Sequence, residues 1–422
     1  MELKNYKLFA KFPFIKDLTF LASGTILSQL IVFLFQPFLK RNFSPEDFGV
    51  MDVCLKAVAI ISSFMALKFD GAIILPKKNI DAIKILHLIL YISIFFFVLI
   101  LLSIAIFIDD IVLVFEIDSK YKFWFFLIPF SSFFYILGIS FDNYLIRKKR
   151  FKQVSISKLS RRSSEVFVQV LIGYYYKSSL IIGDLIGNIF YCVRSYKSTS
   201  INFIKFNKKE LQAILVEYND FPKYNVLPNI LNTFVLNSLT FLILSKFTIK
   251  EVGFLELTQK ILFAPAAILS ISLGQMLLQR TSIKIAKSES ILQEVYRGFL
   301  LLAAFSLLFF IVIYFFSEEI FIFLFGEDWI HSAYYSKILV VYTCFNFVFS
   351  PMGKILIALR RIKQNAIWQL VKFISVISLF FIHYNSIYDY LYSYVIINVI
   401  LYIIYGIMIF SYSKKHDNKI VK

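Results

Sequence analysis

Two lysines inside apolar stretches of the chain each follow an acid by four residues. They are Lys56, after Asp52, and Lys260, after Glu256. An acid four residues before a lysine makes a favourable pair on one helix, so each pair can simply neutralise itself. A charge within a membrane-spanning helix costs about 2.5–3.5 kcal/mol, however, and tends to face a cavity or a partner. Both lysines are therefore candidates for attracting an anionic group in a shared aqueous cavity.

Polar side chains recur at helical spacing in the first and the seventh apolar stretches. The first stretch carries Thr25 and Gln29, and the seventh carries Asn225, Asn229 and Asn232. Such stripes commonly hydrogen-bond a neighbouring helix. Because they lie next to the stretches that bear the two lysines, they are also candidates for binding polar groups of a substrate.

Two further acids, Asp70 and Asp142, lie near predicted inner helix ends. Either can serve as a proton or cation site for ion coupling, and either can equally pair with a nearby basic residue such as Lys68 or Arg147. The sequence leaves both interpretations open.

Most other charges have a simpler interpretation. Lys68, Lys354 and Lys372 lie towards predicted inner helix ends, where we expect them to act as interfacial anchors. A basic run follows the fourth apolar stretch and comprises Arg147, Lys148, Lys149, Arg150, Lys152, Lys158, Arg161 and Arg162. We expect this run to form a cytoplasmic surface that faces anionic membrane lipid.

Signals for metal or nucleotide chemistry are missing from the sequence. The 3 cysteines and 4 histidines are scattered and show no metal-ligand spacing. No Gly-rich loop ending in Gly-Lys-Ser/Thr occurs, so ATP is not expected as the direct energy source. We therefore expect neither a metal nor a cofactor.

Composition predicts that the elements carrying these residues lie in a membrane. Of the 422 residues, 59% are hydrophobic and only 17% are charged, and the mean hydropathy is +0.73. Globular domains are less apolar and more charged than this. The net charge of +18 is spread between apolar stretches and forms no basic domain, which favours a membrane over nucleic acid as partner.

The apolar stretches predict an all-α polytopic protein of twelve spans. They cover 18–39, 48–68, 84–108, 123–146, 160–176, 179–194, 224–246, 252–279, 298–316, 335–359, 365–383 and 388–411. The fifth is short unless it includes Arg161, Arg162 and Glu165. Of the 45 Lys and Arg, 32 lie in alternate segments that include both termini, and 7 lie in the opposite loops. This bias predicts that both termini are cytoplasmic.

An internal repeat at an offset of 204 divides the chain into two halves, 1–210 and 211–422. The first copy comprises Phe43, Ser44, Asp47, Phe48, Gly49, Asp52 and Lys56, and the second comprises Phe247, Thr248, Glu251, Val252, Gly253, Glu256 and Lys260. A weaker echo relates Arg150–Gln153 to Arg361–Gln364. Six spans separate the copies, which predicts two parallel six-helix bundles with a central cavity, and Pro265 is expected to kink the eighth helix.

Two segments resemble the opening of a known transporter family. Residues 22–52 are ASGTILSQLIVFLFQPFLKRNFSPEDFGVMD, and residues 70–81 are DGAIILPKKNID. These segments resemble the O-antigen (Wzx-type) flippases of the polysaccharide transporter family. The shared pattern is small-Gly-Thr, then Ser-Pro-x-Asp-Phe/Tyr-Gly, an acid, and an apolar stretch with Pro and Asp.

The resemblance implies the fold of the multidrug/oligosaccharidyl-lipid/polysaccharide (MOP) exporter superfamily. It implies movement of an undecaprenyl-pyrophosphate-linked oligosaccharide across the cytoplasmic membrane, with a polysaccharide polymerase and a chain-length regulator as partners. In the related lipid II flippases, basic residues on helices 1, 2 and 8 face the cavity. Lys56 and Lys260 match helices 2 and 8, whereas the first helix has basic residues only at its ends, Lys16 and Lys40.

Two alternatives stay open. A MATE-like cation or drug exporter should carry unpaired acids in its cavity, whereas Asp52 and Glu256 each have a lysine one turn away. A membrane polysaccharide polymerase or glycosyltransferase usually needs a large outer loop with catalytic residues. The acidic loops around Asp110 and Glu319 are shorter than 20 residues, so we expect no enzyme.

Overall fold

Every regular element among the described residues of the computed structural model is helical. It describes residues 13–173, 175–201 and 207–420, and several side chains within helices, among them Asn232 and Pro265, lie outside the described residues. A substrate contact of Asn232 and a kink at Pro265 therefore stay predictions. The described part falls into two compact units, Met1–Gly253 and Phe254–Lys422, here called the N-terminal and C-terminal units. The division into halves at 210, which rests on the repeat, stays a prediction.

The N-terminal unit contains nine labelled helices in its described residues. They are α1 (Pro13–Asn42), α2 (Pro45–Met65), α3 (Phe69–Ala72), α4 (Asn79–Val114), α5 (Lys122–Arg147), α6 (Phe151–Gly173), α7 (Ser179–Thr199), α8 (Lys208–Glu217) and α9 (Asp220–Leu244). Helix α6 packs against α1 and α7, and α5 packs against α2, α4 and α7. Helix α9 packs on α2. The cavity described below therefore lies among α1, α5, α6 and α7.

Helix α10 (Ile249–Ala286) begins in the N-terminal unit and continues into the C-terminal unit. The further helices are α11 (Leu292–Phe325), α12 (Ile330–Met352), α13 (Lys354–Ala358), α14 (Ile362–Ser378) and α15 (Ile387–Ile420). Helix α12 packs against α11 and α15, and α14 packs against α15. The 3-10 turns Ser119–Tyr121, Glu327–Trp329 and Leu379–Phe381 adjoin α5, α12 and α14.

Each of the twelve predicted spans falls on a helix. Within the described residues seven helices are long and apolar enough to cross a membrane, or eight if the bent helix α9 counts as one span. The fifth predicted span is α6, which starts at Phe151 and includes Arg161, Arg162 and Glu165. The chain is thus an all-α, multi-pass membrane protein.

The repeated motif marks a helix start in both copies. Ser44 caps α2 by accepting from the Asp47 amide at 3.2 Å, and the Asp47 carboxylate accepts from the Ser44 amide at 2.9 Å. This capping box satisfies amides that the first turn leaves without partners. Helix α10 likewise begins directly after Thr248, and both copies of the weaker echo also start helices, at Phe151 and Ile362.

The repeated glycines allow α2 and the start of α10 to touch backbone to backbone. A Cβ on Gly49 would lie 2.0 Å from the Ile249 carbonyl oxygen, and one on Gly253 would lie 1.8 Å from the Pro45 carbonyl oxygen. Both distances are far inside van der Waals contact. The two copies of the motif therefore pack on each other, and glycine is required in both.

We predict that Gly49→Ala destabilises the protein by about 1–3 kcal/mol, because its methyl group forces two backbones apart. Gly71→Ala is the matched control, since its Cβ would approach only Phe221 Cε1, at 3.4 Å. The measurement is denaturant unfolding of both variants in detergent micelles. Equal stability of the two variants would contradict the close helix contact.

Candidate functional site

A polar cavity of about 370 Å³ lies inside the N-terminal unit. Helices α1, α5, α6 and α7 supply its lining, which comprises Thr25, Ser28, Gln29, Tyr135, Ile139, Asp142, Asn143, Ile146, Val154, Lys158, Arg161, Arg162 and Tyr191. This set, here called the N-terminal cavity, combines three cationic side chains and the carboxylate of Asp142 with hydroxyls and amides. Such a lining suits an anionic group attached to a polar molecule.

Two of the three cations in the N-terminal cavity are paired with buried acids. The guanidinium of Arg162 donates to Glu165 at 2.5 Å. Arg161 lies 3.5 Å from Asp184 Oδ1, and its guanidinium carbon lies 4.3 Å from the centre of the Tyr135 ring. These contacts hold the two arginines in place and offset much of their charge.

Lys158 is the least neutralised cation of the cavity. Its Nζ donates to Thr25 Oγ1 at 3.3 Å, and no carboxylate of the described residues lies within the 4.0 Å of a salt bridge. The side chain is half-buried on α6. Because a half-buried ammonium attracts anions more strongly than one in bulk water, Lys158 is suited to hold a negatively charged group.

Asp184 connects three helices at the back of the cavity. It is fully buried and accepts from Ser131 Oγ on α5 and from Asn188 Nδ2, at 3.0 Å, on its own helix α7. Arg161 approaches it from α6. A buried charge needs such partners, because hydrocarbon offers none. The network therefore fixes how α5, α6 and α7 face one another.

Asp142 faces the cavity through hydroxyl donors. Its two carboxylate oxygens accept from Tyr191 Oη and Ser195 Oγ, each at 2.7 Å. Arg147, an expected partner, instead donates to the carbonyls of Ile74 and Lys77. Pairing of Asp142 with Arg147 is therefore wrong, while a role of Asp142 in ion coupling stays a prediction.

The basic run after the fourth span divides into two parts. Arg147 and Arg150 lie at the end of α5, where Arg150 donates to the Ser198 carbonyl at 2.7 Å. Lys158, Arg161 and Arg162 instead line the N-terminal cavity. The prediction that the whole run faces lipid headgroups is thus wrong for these three. The sequence held a signal for Arg162, which lies one helical turn before Glu165.

The two acid–lysine pairs form as their spacing predicts. Lys56 Nζ lies 3.6 Å from Asp52 Oδ1 on α2, and Lys260 pairs with Glu256 on α10. The hydroxyl of Thr240, on α9, also donates to Asp52, at 2.7 Å. The lysines keep about a quarter of their side chains exposed, 25% and 29%. Whether they hold a substrate stays a prediction.

The other predicted site residues have separate surroundings. Thr25 and Gln29 line the N-terminal cavity, whereas Asn229 Nδ2 donates to the Ser63 carbonyl on α2 at 2.9 Å, a helix-to-helix contact. Asn225 is exposed on α9. Asp70 pairs with Lys68 at 3.8 Å, one of its two expected interpretations. The structure thus brings Thr25, Gln29 and Asp142 into one cavity.

The fold of the chain is similar to that of solved transporters of the MOP superfamily. It is similar to an inward-facing multidrug resistance MATE family transporter of that superfamily, with a TM-score of 0.71 and 12% identity over 92% of this chain and 96% of that one. It is equally similar to the lipid II flippase MurJ in an inward closed conformation, with a TM-score of 0.71 and 14% identity over 95% and 90%.

The sequence also matches a particular protein family. Residues 38–334 match the model of the polysaccharide biosynthesis protein family, and the chain belongs to that family. A search of curated protein sequences found no match. The fold class that the resemblance implied is confirmed.

We predict that Asp184→Ala destabilises the protein by about 3–5 kcal/mol, because it leaves Arg161 as an uncompensated buried charge. Asp109→Ala breaks the exposed pair with Lys122 and should cost less than about 1 kcal/mol. Unfolding in detergent micelles measures both values. A loss for Asp184→Ala no larger than that for Asp109→Ala would refute a structural role for the Asp184 network.

Proposed function

We propose that the protein is a flippase for lipid-linked polysaccharide precursors. Its substrate is an oligosaccharide on undecaprenyl pyrophosphate, which it moves from the inner to the outer leaflet of the cytoplasmic membrane. The product serves O-antigen, capsule or another surface polysaccharide. Membership of the polysaccharide biosynthesis family supports this function. The main structural support is the cavity, in which Lys158 makes no salt bridge among the described residues.

The physical task of a flippase is to shelter a polar head group that cannot cross hydrocarbon. A pyrophosphate 4 Å from an ammonium gains about 4 kcal/mol per unit charge at an effective dielectric of 20, before desolvation is subtracted. Lys158 supplies such a cation, and the side chains of Thr25, Gln29 and Asn143 supply hydrogen-bonding groups for hydroxyls. The lipid tail stays in the bilayer throughout.

The membrane potential favours this direction of transport. Moving a negative charge out of a negative interior is favoured by about 2.3 kcal/mol per charge per 100 mV. With both termini in the cytoplasm, as the distribution of Lys and Arg predicts, the substrate enters from the cytoplasmic side. A polysaccharide polymerase and a chain-length regulator then act on the product outside.

A cation or drug exporter is the weaker alternative on the same fold. It needs acids free to exchange a cation, whereas the buried acids of the N-terminal unit have donors or cations beside them. Asp184 has Arg161 and Asp52 has Lys56. Asp142 is the exception, since it has two hydroxyl donors but makes no salt bridge among the described residues. The three cationic side chains of the lining nevertheless outnumber this one carboxylate. The described cavity therefore suits an anionic cargo better than a cationic one.

We predict that Lys158→Gln lowers the rate of flipping at least tenfold in vesicles loaded with undecaprenyl-pyrophosphate-linked oligosaccharide, because it removes the least neutralised cation of the cavity. Lys152→Gln is the matched control, since Lys152 is an exposed lysine of the same helix outside the cavity lining. Accessibility of the glycan to an added glycosidase measures flipping. Equal rates for wild type and Lys158→Gln would exclude Lys158 as the anion site.

The two acid–lysine pairs need a test that keeps the charge balanced. We predict that the fourfold variant Asp52→Asn, Lys56→Gln, Glu256→Gln and Lys260→Gln loses surface glycan while its membrane level stays normal, because both ammonium groups are gone. In the control, Lys56→Arg with Lys260→Arg, glycan should persist. Normal glycan in the fourfold variant would mean that each pair merely neutralises itself.

A further inference from the structure

A second polar site lies in the C-terminal unit around Lys372 of α14. The ammonium of Lys372 donates to Tyr402 Oη at 2.8 Å and lies 4.5 Å from the centre of the Tyr402 ring. It also lies 5.6 Å from the centre of the Trp368 ring and 5.8 Å from that of Tyr342. Ring faces attract cations at such distances. These four residues are here called the aromatic cage.

Lys372 lies within an apolar segment of the C-terminal unit. The apolar segment of α14 and the following turn runs from Lys363 to Phe381, and Lys372 is its middle residue. A lysine at the middle of a span cannot easily extend its ammonium to the membrane surface. The anchor role of Lys372 stays a prediction, and its contacts in the C-terminal unit suggest a second role.

The charge of Lys372 is compensated incompletely by the protein. Among the described residues no carboxylate lies within the 4.0 Å of a salt bridge from its ammonium, in contrast to Lys56 and Lys260. Its contacts are one phenol oxygen and ring faces, none of which carries a full negative charge. Since charges within spans tend to face cavities or partners, Lys372 is suited to meet an anion that comes from outside the protein.

The cage is held in place from three helices. Trp368 Nε1 donates to the Leu401 carbonyl at 3.0 Å, and its ring stacks on Tyr405 with 3.9 Å between centres. The phenol of Tyr402 donates to Asn346 Oδ1 at 2.8 Å. That bond uses only the oxygen of the Asn346 amide, which leaves its N–H groups as donors near Tyr402.

We propose that the aromatic cage binds an acidic sugar, one that carries a single carboxylate. The carboxylate of the sugar pairs with Lys372. The C–H groups of the sugar ring pack on an aromatic face, whose partial negative charge attracts them. A sugar hydroxyl accepts a hydrogen bond from Asn346. A single cation between neutral rings matches one carboxylate. The N-terminal cavity, with three cationic side chains, is better matched to a pyrophosphate.

This inference rests on the proposed function and specifies its substrate as a glycan that contains a uronic-acid-type residue. The test is direct binding, which needs no transport. The protein in nanodiscs is titrated with a soluble tetrasaccharide containing one glucuronate and with the same tetrasaccharide after reduction of its carboxyl to an alcohol. Calorimetry or saturation-transfer NMR gives both affinities.

We predict that the acidic tetrasaccharide binds at least tenfold more tightly than its carboxyl-reduced form. Lys372→Gln should abolish that difference and Lys372→Arg should keep it. Lys354→Gln, which changes an exposed lysine of the same unit, is the control and should bind like the wild type. Unfolding curves of all variants establish that they are folded.

Equal affinity for the two tetrasaccharides, or an unchanged difference in Lys372→Gln, would overturn the assignment. Titration with inorganic pyrophosphate provides the second arm. Its binding should weaken in Lys158→Gln and not in Lys372→Gln, and the reverse pattern would make Lys372 a phosphate site and also overturn the assignment. If the acid-specific binding is present but reconstituted protein flips no lipid-linked oligosaccharide, the proposed function fails and the cage survives.

Discussion

Hydrocarbon cannot solvate a charge, and this constraint governs the arrangement of the polar side chains in both units. A spanning helix can carry an ionised residue only if the protein supplies its partner or if the residue reaches a wet cavity. Asp184 and Glu165 meet arginines, and Asp142 meets two hydroxyl donors. These contacts determine which face of α5, α6 and α7 turns inward. The cavity is therefore a consequence of where the charges find partners.

The same constraint applies to the backbone. A helix start leaves amides without partners, and the repeated motif supplies a capping box at Ser44 and a glycine one turn later. Glycine at positions 49 and 253 lets the two copies approach until one backbone lies against the other. The motif thus has a structural role. In both copies it starts a helix and provides a glycine at which the backbone of another helix can approach.

The local periodicity of the sequence was enough to predict most helices and the contacts within a single helix. The twelve apolar stretches all lie on helices, although the tenth covers both α12 and α13 and only seven or eight of the described helices are long and apolar enough to span a membrane. The acid–lysine pairs at Lys56 and Lys260 form because both partners lie on one helix, where spacing determines contact. The repeat marked two equivalent helix starts. It could not show that Gly49 touches Ile249, because the approach of two helices depends on their packing and not on the sequence of either one.

Partners on different helices escaped prediction for the same reason. Arg161 meets Asp184 across 23 positions of the chain, and Lys372 meets Tyr402 across 30. Rotation of a helix by one residue, about a quarter turn, would replace either partner. The basic run around Arg161 was therefore assigned to a lipid-facing surface, although the Arg162–Glu165 spacing within the fifth span already indicated burial.

Lys158 and Lys372 have different surroundings, and that difference bears on what each of them can bind. In the N-terminal unit two arginines are offset by acids, so that Lys158 carries the charge that remains for a ligand, with polar groups around it. In the C-terminal unit Lys372 is surrounded by rings, which stabilise a cation without neutralising it. The ammonium of Lys372 therefore still attracts an anion. The rings around it favour contact with an apolar face of the molecule that bears the anion. A sugar with one carboxylate presents both features, whereas a phosphate presents charge alone.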